Sequence, residues 1–311
     1  MSFQFIVDEF LSGRRIDHFL IRQFRNYSAA RMQRMVRLGY VTINDVIAHC
    51  DQVVYARQSV SIRLVDPPDK LYEPEVIKLD VIYEDPWIIV LNKSADLIVH
   101  PTGSFDSGTL ANAVQHHFDQ QTEVRGLIRP GIVHRLDRET SGLIVMTKEH
   151  TAHRGLMDQF EHHRVSKSYL AVVEGLVEAD NQFIDFPIGR LTTWKSPLMS
   201  AAETAQDAKP ASTFVSVVRR GERRTLVEAT PFTGRQHQIR VHLSAVGHPI
   251  VDDPDYTAFA AREDRIDESI RSMGRQALHA WRLSFRHPID SRHLAFETSP
   301  PDEFDRLLIH E

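Results

Sequence analysis

The chain has 311 residues, of which 42% are hydrophobic and 25% are charged, as is ordinary for a soluble globular protein. Its single cysteine, Cys50, excludes an intramolecular disulfide, and no apolar run approaches the roughly 20 residues that a membrane helix needs. Residues 1–10 lack the basic and apolar regions of a signal peptide. We therefore expect a cytoplasmic protein without membrane contact.

The charge is unevenly distributed along the chain. The whole protein carries a net charge of −5, which is not typical of a nucleic-acid binder. Residues 1–65, however, hold nine Arg, no Lys and five Asp or Glu, a net charge of +4, so the remainder carries −9. A small basic segment attached to a larger acidic body indicates that the segment is the part that meets a polyanion.

Residues 1–65 show the pattern of a compact α/β unit. Apolar spacing predicts a helix within 13–24, and Ser28 and Gly39 are suited to cap the start and end of a second helix. Residues 40–45 predict a strand and a tight turn, and residues 60–64 predict a further strand.

The second predicted helix carries three arginines at steps of three, Arg31, Arg34 and Arg37, which places them on roughly one face. Such a stripe is either a solvated helix face or a contact for RNA phosphates. Two helices followed by the Gly-Tyr-Val-Thr-Ile-Asn hairpin resemble the RNA-binding module first named from a small-subunit ribosomal protein, the S-four type or αL motif. The resemblance implies that the three arginines contact phosphates, which give affinity and orientation rather than sequence selectivity.

A Pro-rich acidic stretch at 66–76 predicts a linker, so we divide the chain into a domain at 1–65, the linker, and a second domain at 77–311. The second domain mixes strand-like and helix-like stretches irregularly, which favours an α+β fold with a mixed sheet. Predicted strands are 88–91, 142–146, 170–173 and 225–229, and predicted helices are 110–118, 153–161 and 237–245. The polar residues 255–275 are interpreted as a surface excursion.

The densest group of ionisable residues is HRLDRETSG at 134–142, directly before an apolar strand. Unpaired charge against a core is costly, so the group either closes a loop as an ion-pair network or carries chemistry. Asp137 lies between Arg135 and Arg138, and a guanidinium close to the carboxylate would keep it ionised as a nucleophile or base.

A second group, TGRQHQIRVH at 233–242, begins with a turn. From His237 its spacing predicts a helix with His237 and Arg240 close on one face. A metal site formed with His242, His248 and His134 is one interpretation, but no zinc-ligand spacing is present. Histidines bonded to backbone groups are the alternative.

The third group is KSYLAVVEG at 167–175, where strand alternation places Lys167 and Tyr169 on one face. A tyrosine there either packs in the core or, beside a lysine in a cleft, forms a stacking surface for a nucleobase.

The three blocks HRLDRETSGL, KSYLAVVEG and TGRQHQIRVHL, in this order, resemble the signature blocks of the RluA-type pseudouridine synthases. The resemblance extends over roughly 80–290. It departs from the family at Ser94, where proline usually follows Asn-Lys. It implies a central mixed, mainly antiparallel sheet in two halves with a catalytic cleft between them, no cofactor and no metal.

The resemblance also implies the roles of residues. Asp137 is the expected catalytic aspartate, Arg240 the arginine that pairs with it, and Tyr169 the residue that packs on the target base. Arg135 and Arg138 form the surrounding loop, with Arg138 helping to hold the space left when the base swings out. Lys167 and His134 complete the expected substrate-binding set.

The expected reaction releases uracil from C1′ of a uridine and reattaches it through C5. One carboxylate suffices, either by adding to the sugar or base or by removing a sugar proton. Large-subunit ribosomal RNA is the expected substrate, because relatives that carry the basic module often act there, and we expect a monomer. Alternatives are a synthase acting on transfer RNA, a catalytically silent RNA-binding protein and a metal-dependent hydrolase.

Overall fold

The structure is a computed structural model that describes residues 2–25, 27–64, 72–103, 105–121, 129–191, 198–201, 205–256 and 272–309. Within those ranges, none of the helices is long and apolar enough to cross a membrane.

The N-terminal 64 residues form two helices against a small sheet. The helices are α1 (Ile16–Gln23) and α2 (Ala29–Arg37). The strands are β1 (Ser2–Ile6), β2 (Arg14–Arg15), β3 (Val41–Ile43), β4 (Val46–Ile47), β5 (Val53–Val54) and β6 (Ser59–Arg63). Strands β1, β6, β3 and β4 make one sheet in that order, and β2 pairs with β5. The unit has its own hydrophobic core, centred on residues such as Phe19 and Met32.

The local signals predicted for this unit are confirmed. The Ser28 hydroxyl accepts a hydrogen bond from the backbone N–H of Arg31 at 3.2 Å and so caps α2. Gly39 has φ +74°, and the N–H of Tyr40 reaches the carbonyl of Met35 at 3.0 Å, which closes the helix as a Schellman motif. Asn44 and its neighbour Asp45 both have positive φ and turn β3 into β4.

A ten-stranded sheet forms the body of the described chain. Its strands are β7 (Val81–Glu84), β8 (Ile88–Lys93), β9 (Gly131–Ile132), β10 (Ser141–Thr147), β11 (Ser166–Glu174), β12 (Asn181–Asp185), β16 (Ser212–Arg220), β17 (Arg224–Pro231), β18 (Leu278–Arg286) and β19 (His293–Glu297). The order is β12-β16-β17-β11-β18-β10-β8-β7, with β19 on β18 and β9 on β10. The predicted α+β fold and mixed, mainly antiparallel sheet are confirmed.

Two halves of this sheet meet where β10 and β18 run parallel, with Ser141 opposite His279 and Gly142 opposite Ala280. Gly142 has φ +109°, and a Cβ at this position would lie 2.2 Å from the carbonyl oxygen of Ala280. Only glycine allows this approach, so the last residue of the HRLDRETSG block joins the two halves.

The N-terminal half of the sheet is buried on both faces. Helix α3 (Leu110–Asp119) packs with Ile89 and Ile144 on one face, and α4 (His150–Glu161) packs with Val90 and Val145 on the other. Because both faces are covered, the sequences of β8 and β10 are continuously apolar rather than alternating between apolar and polar residues.

The C-terminal half carries α5 (Gln238–Ala245), whose Ile239 and Leu243 pack on the core of β11 and β17. A three-stranded sheet lies beside it, formed by β13 (Ile188–Arg190), β14 (Met199–Ser200) and β15 (Gln206–Lys209). A short helix, α6 (Glu303–Leu307), completes the described fold.

The N-terminal unit contacts the body directly. The Arg25 guanidinium lies 4.7 Å from the ring centre of Trp87, and the carbonyl of Arg25 accepts a hydrogen bond from the N–H of His150 at 2.9 Å. Most of the predicted linker 66–76 and of the predicted excursion 255–275 lies outside the described residues. The domain boundaries stay a prediction.

Candidate active site

All three sequence blocks line one cavity of about 640 Å³, which we call the main cavity. The first block contributes the loop 133–140, which we call the Asp137 loop. The second contributes the start of α5, and the third contributes Lys167 and Tyr169 on β11. The cavity therefore unites residues that are up to a third of the chain apart.

The Asp137 loop is held in place by bonds to its backbone and flanks. His134 Nε2 accepts the N–H of Val145 at 3.0 Å, and its ring stacks on Phe160 with centres 4.7 Å apart. Burial, with the Lys167 charge as a second cause, lowers the pKa of His134 to about 3, so the imidazole stays neutral. His134 thus ties the loop to β10.

Lys93, at the end of β8, secures the other side of the loop. Its fully buried Nζ donates to the carbonyls of Ser94, Leu97 and Arg138 at 2.8–2.9 Å. Burial lowers the pKa of Lys93 to about 7, although Glu139 acts in the opposite direction. Ser94, where the family usually has proline, therefore takes part in this arrangement through its carbonyl group.

Asp137 pairs with Arg240, the arginine of α5. Arg240 Nη1 donates to Asp137 Oδ2 at 3.2 Å. The Asp137 side chain keeps 24% of its surface exposed whereas that of Arg240 keeps 5%, so the carboxylate borders the cavity and the guanidinium lies beneath it. In the described part of the chain, no other side chain bonds to this carboxylate.

Two further aspartates orient Arg240, and no role was predicted for either of them. The buried Asp253 accepts hydrogen bonds from Nε and Nη2 of Arg240 at 2.7 Å each. Asp255 accepts a further hydrogen bond from Nη2 at 2.7 Å. Burial alone would lower the pKa of Arg240, but the bonds to Asp253 and the charge of Asp137 raise it above its ordinary value. The run Asp252-Asp253-Pro254-Asp255 was the available signal.

The hypothesis that Arg135 or Arg138 lies against Asp137 is not what the structure shows. Arg138 pairs with Asp96 and Glu139 instead, and Arg135 is exposed at the mouth of the cavity. The loop directs the two arginines outward, so the counter-ion comes from α5.

Lys167 and Tyr169 both face the main cavity, as strand alternation predicted, although the pairing of β11 with β18 shifts register between Ser168 and Tyr169. Burial, and secondarily the Asp137 charge, raises the pKa of Tyr169, so its ring remains a neutral phenol. Burial lowers the pKa of Lys167, whose Nζ lies 3.4 Å from the carbonyl of Thr233.

The prediction that His237 lies within the helix is wrong. Helix α5 begins at Gln238, and His237 precedes it in the left-handed conformation with φ +53°. The Gln238 side chain accepts hydrogen bonds from the Thr233 hydroxyl at 2.6 Å and from the Arg235 N–H at 3.0 Å. These bonds tighten the turn, which brings His237 into the cavity wall, 3.0 Å from the Tyr256 hydroxyl.

The other two histidines of the hypothetical metal site, His242 and His248, bond to backbone carbonyls, as the alternative interpretation predicted. His242 Nε2 lies 3.0 Å from the carbonyl of Phe186, and His248 Nδ1 lies 3.0 Å from that of Glu174. Across the described ranges, no group of three His, Cys, Asp or Glu side chains is placed to share a metal ion.

The three arginines of α2 differ in their surroundings. Arg34 and Arg37 are exposed, whereas Arg31 is half-buried with its guanidinium 4.3 Å from the ring centre of Tyr27. Arg129 of the body lies over the same ring at 5.6 Å. Arg31 therefore belongs to the contact between the N-terminal unit and the body.

Comparisons with known proteins identify the family to which this fold and site belong. The family model described as RNA pseudouridylate synthase matches residues 87–245. Ribosomal large subunit pseudouridine synthase D of Nitrosomonas europaea is 35% identical over 99% of this chain and 87% of its own length. A Bacillus subtilis RNA pseudouridine synthase is 36% identical over 94% of this chain and 93% of its own.

A solved structure is similar as well. That of human RNA pseudouridylate synthase domain containing 1 has a TM-score of 0.58 and 29% identity, covering 76% of this chain and 89% of that one. The chain belongs to the RNA pseudouridylate synthase family, and it is an RNA pseudouridine synthase, an isomerase.

Proposed function

We propose that this enzyme converts uridine to pseudouridine in large-subunit ribosomal RNA, with Asp137 as the catalytic carboxylate. The observation that carries the catalytic part is the position of Asp137. It borders a cavity of about 640 Å³ while a buried arginine holds one of its oxygens. The ribosomal substrate is supported by the names of relatives that match nearly the whole chain.

The reaction breaks the C1′–N1 bond, forms a C1′–C5 bond, and moves a proton from C5 while N1 gains one. Asp137 acts on the sugar or the base, as a nucleophile or as a proton acceptor. Arg240 fixes Oδ2 of the carboxylate by a hydrogen bond, so the other oxygen is the reactive one. No atom is lost from the nucleotide, so one carboxylate and its counter-ion are sufficient for the isomerisation.

The target uridine has to leave its stack before Asp137 can reach it. Tyr169 offers the flipped base a neutral aromatic surface next to the carboxylate. Arg135 at the mouth, with Lys167 deeper in the wall, supplies positive groups for the backbone phosphates. His134 contributes by holding the Asp137 loop, and Arg138 borders the opposite side of that loop.

We propose further that residues 1–65 are an RNA-docking domain. Arg34 and Arg37 are its phosphate contacts because they are exposed on α2, while Arg31 supports the packing against the body. The expected independence from metals and cofactors, the monomeric state and the cytoplasmic location stay predictions.

Mapping pseudouridine across all cellular RNA, with and without the gene, tests the substrate. Without the gene, we expect one or more pseudouridine sites in large-subunit ribosomal RNA to be lost. The wild-type gene should restore them, and an Asp137→Asn gene should not. Loss confined to transfer RNA would contradict the ribosomal assignment. An unchanged map would favour a catalytically silent RNA-binding protein.

A further inference from the structure

We propose that a second, smaller cavity on the far side of the Asp137 loop binds the base of a nucleotide adjacent to the target uridine. This side cavity, of about 310 Å³, lies against His100, Phe105 and Arg138. The inference rests on the proposed function, because it assigns the neighbouring part of the same RNA strand.

The side cavity adjoins the candidate active site. Both cavities share Arg135, Leu136, Asp137, His237 and Arg240 as lining residues. The Asp137 loop therefore forms a wall between them. A strand that places one nucleotide against Asp137 in the main cavity brings its neighbour to the other side of this wall.

The walls of the side cavity suit a nucleobase. Phe105 keeps 47% of its surface exposed, although its backbone is fixed by reciprocal hydrogen bonds with Thr102 at 2.7 and 3.0 Å. The Arg138 guanidinium lies 6.0 Å from the Phe105 ring centre and is held there by Asp96. A fixed, exposed aromatic ring beside a guanidinium is the usual stacking surface for an unpaired base.

His100 adds a hydrogen-bonding group to the wall of the side cavity. Its Nδ1 is shielded from solvent and has no hydrogen-bond partner among the described residues. Burial, and then the charge of Arg135, lowers the pKa of His100, so the ring is neutral and offers one donor and one acceptor. His100 lines the side cavity and forms no side-chain hydrogen bond with a described residue, so the edge of a bound base would give its ring a partner.

The test uses a short synthetic RNA that contains the mapped uridine, in three forms: intact, abasic on the 5′ side and abasic on the 3′ side of the target. KM and kcat are measured for the wild type, Phe105→Ala and Phe105→Trp. Phe214→Ala, which removes another partly exposed phenylalanine outside both cavities, is the matched control.

For the wild type, we expect one of the two abasic forms to raise KM about fivefold or more, because stacking contributes about 1–3 kcal/mol for each base. Phe105→Ala should raise KM for the intact RNA by a similar factor and lose the sensitivity to the abasic site. Phe105→Trp and Phe214→Ala should behave like the wild type, and kcat should be unchanged throughout.

Equal KM values for all three RNAs with the wild type would overturn the inference, as would a Phe105→Ala enzyme that keeps its full sensitivity. Both results presuppose turnover of the intact RNA. A wild-type enzyme that does not modify the intact RNA would instead contradict the proposed substrate. His100→Phe should reduce the dependence of KM on which base occupies the sensitive position, and an unchanged dependence would exclude the hydrogen bond from His100.

Discussion

Arg240 Nη1 lies 3.2 Å from Asp137 Oδ2, although 103 positions separate the two residues in the chain. The contact exists because α5 follows β17 in one half of the sheet and the Asp137 loop precedes β10 in the other. Asp253 holds the remaining edge of the guanidinium with two bonds of 2.7 Å. The guanidinium thus presents its Nη1 to the carboxylate at the cavity.

Replacing Arg240 should impair both catalysis and folding. Arg240→Ala leaves the buried Asp253 without its counter-ion, and deleting one partner of a buried pair costs about 3–5 kcal/mol. Arg240→Lys keeps the charge but loses the planar fork, so its loss of stability should be smaller while its kcat still falls. Denaturant unfolding and single-turnover rates measure the two effects. Wild-type rates in both variants would show that Arg240 does not aim Asp137.

Stability should fall in acid partly through His279. This buried residue is bonded to the Ser141 hydroxyl, and burial lowers its pKa from 6.5 to about 4. The folded state then binds fewer protons than the unfolded state between these pH values, so stability is complete above pH 6.5 and is lost as the pH falls toward 4. The expected loss is about 1.4 kcal/mol for each pH unit.

The comparison is between the wild type and His279→Gln, with the exposed His293→Gln as the control. The free energy of unfolding at pH 6.5 and pH 5 should differ by about 2 kcal/mol less in His279→Gln than in the wild type. An identical pH dependence in all three proteins would mean that His279 titrates alike in the folded and unfolded states.

The docking role of α2 predicts a change in salt dependence. Each phosphate contact adds about 0.7–0.9 to the slope of log affinity against log salt, so a double Arg34→Ala, Arg37→Ala variant should lower the slope by about 1.5. Its rate at saturating RNA should be retained because the main cavity is untouched. The double variant Arg223→Ala, Arg306→Ala removes two exposed charges elsewhere and serves as the control.

An unchanged slope and affinity would mean that Arg34 and Arg37 are only a solvated face. A strong loss of the rate at saturating RNA would indicate that the N-terminal unit helps to form the active site. The unit contacts the body directly at Trp87 and His150, so the rate of the double variant tests this alternative.

Metal removal should leave activity intact. The chemical groups at Asp137 are a guanidinium and a neutral phenol, and the cavity histidines His134 and His237 are bonded to a backbone N–H and to Tyr256. Turnover after EDTA treatment, with the RNA folded in monovalent salt, is the measurement. Loss of turnover that zinc restores would favour the metal-dependent alternative.

Local signals predicted much of this fold. Ser28, Gly39 and the Asn44-Asp45 turn act through neighbours a few residues away, so their roles are visible in the sequence. The apolar strands β8 and β10 and the helices α3 and α4 were also predictable from composition and spacing.

Contacts between residues far apart in the chain were harder to predict from the sequence. The carboxylates of Asp253 and Asp255 reach Arg240 only because of how the segment after α5 folds back, and residue types alone carry no information on that path. Likewise, the left-handed His237 depends on the Gln238 side chain binding to the preceding turn, which overrides the helical spacing. The pairing of Arg240 with Asp137 was expected from family resemblance rather than from spacing.

Conversion of uridine by an Asp137→Asn variant is the decisive measurement of the role of Asp137. The substitution keeps the size of the side chain and removes its charge and nucleophilicity, while Arg240 remains held by Asp253. With an RNA that the wild type converts, we expect the variant to bind the RNA normally and to leave no detectable pseudouridine in the nucleosides of the digested product. Substantial pseudouridine formation by Asp137→Asn would contradict the assignment of Asp137 as the catalytic residue.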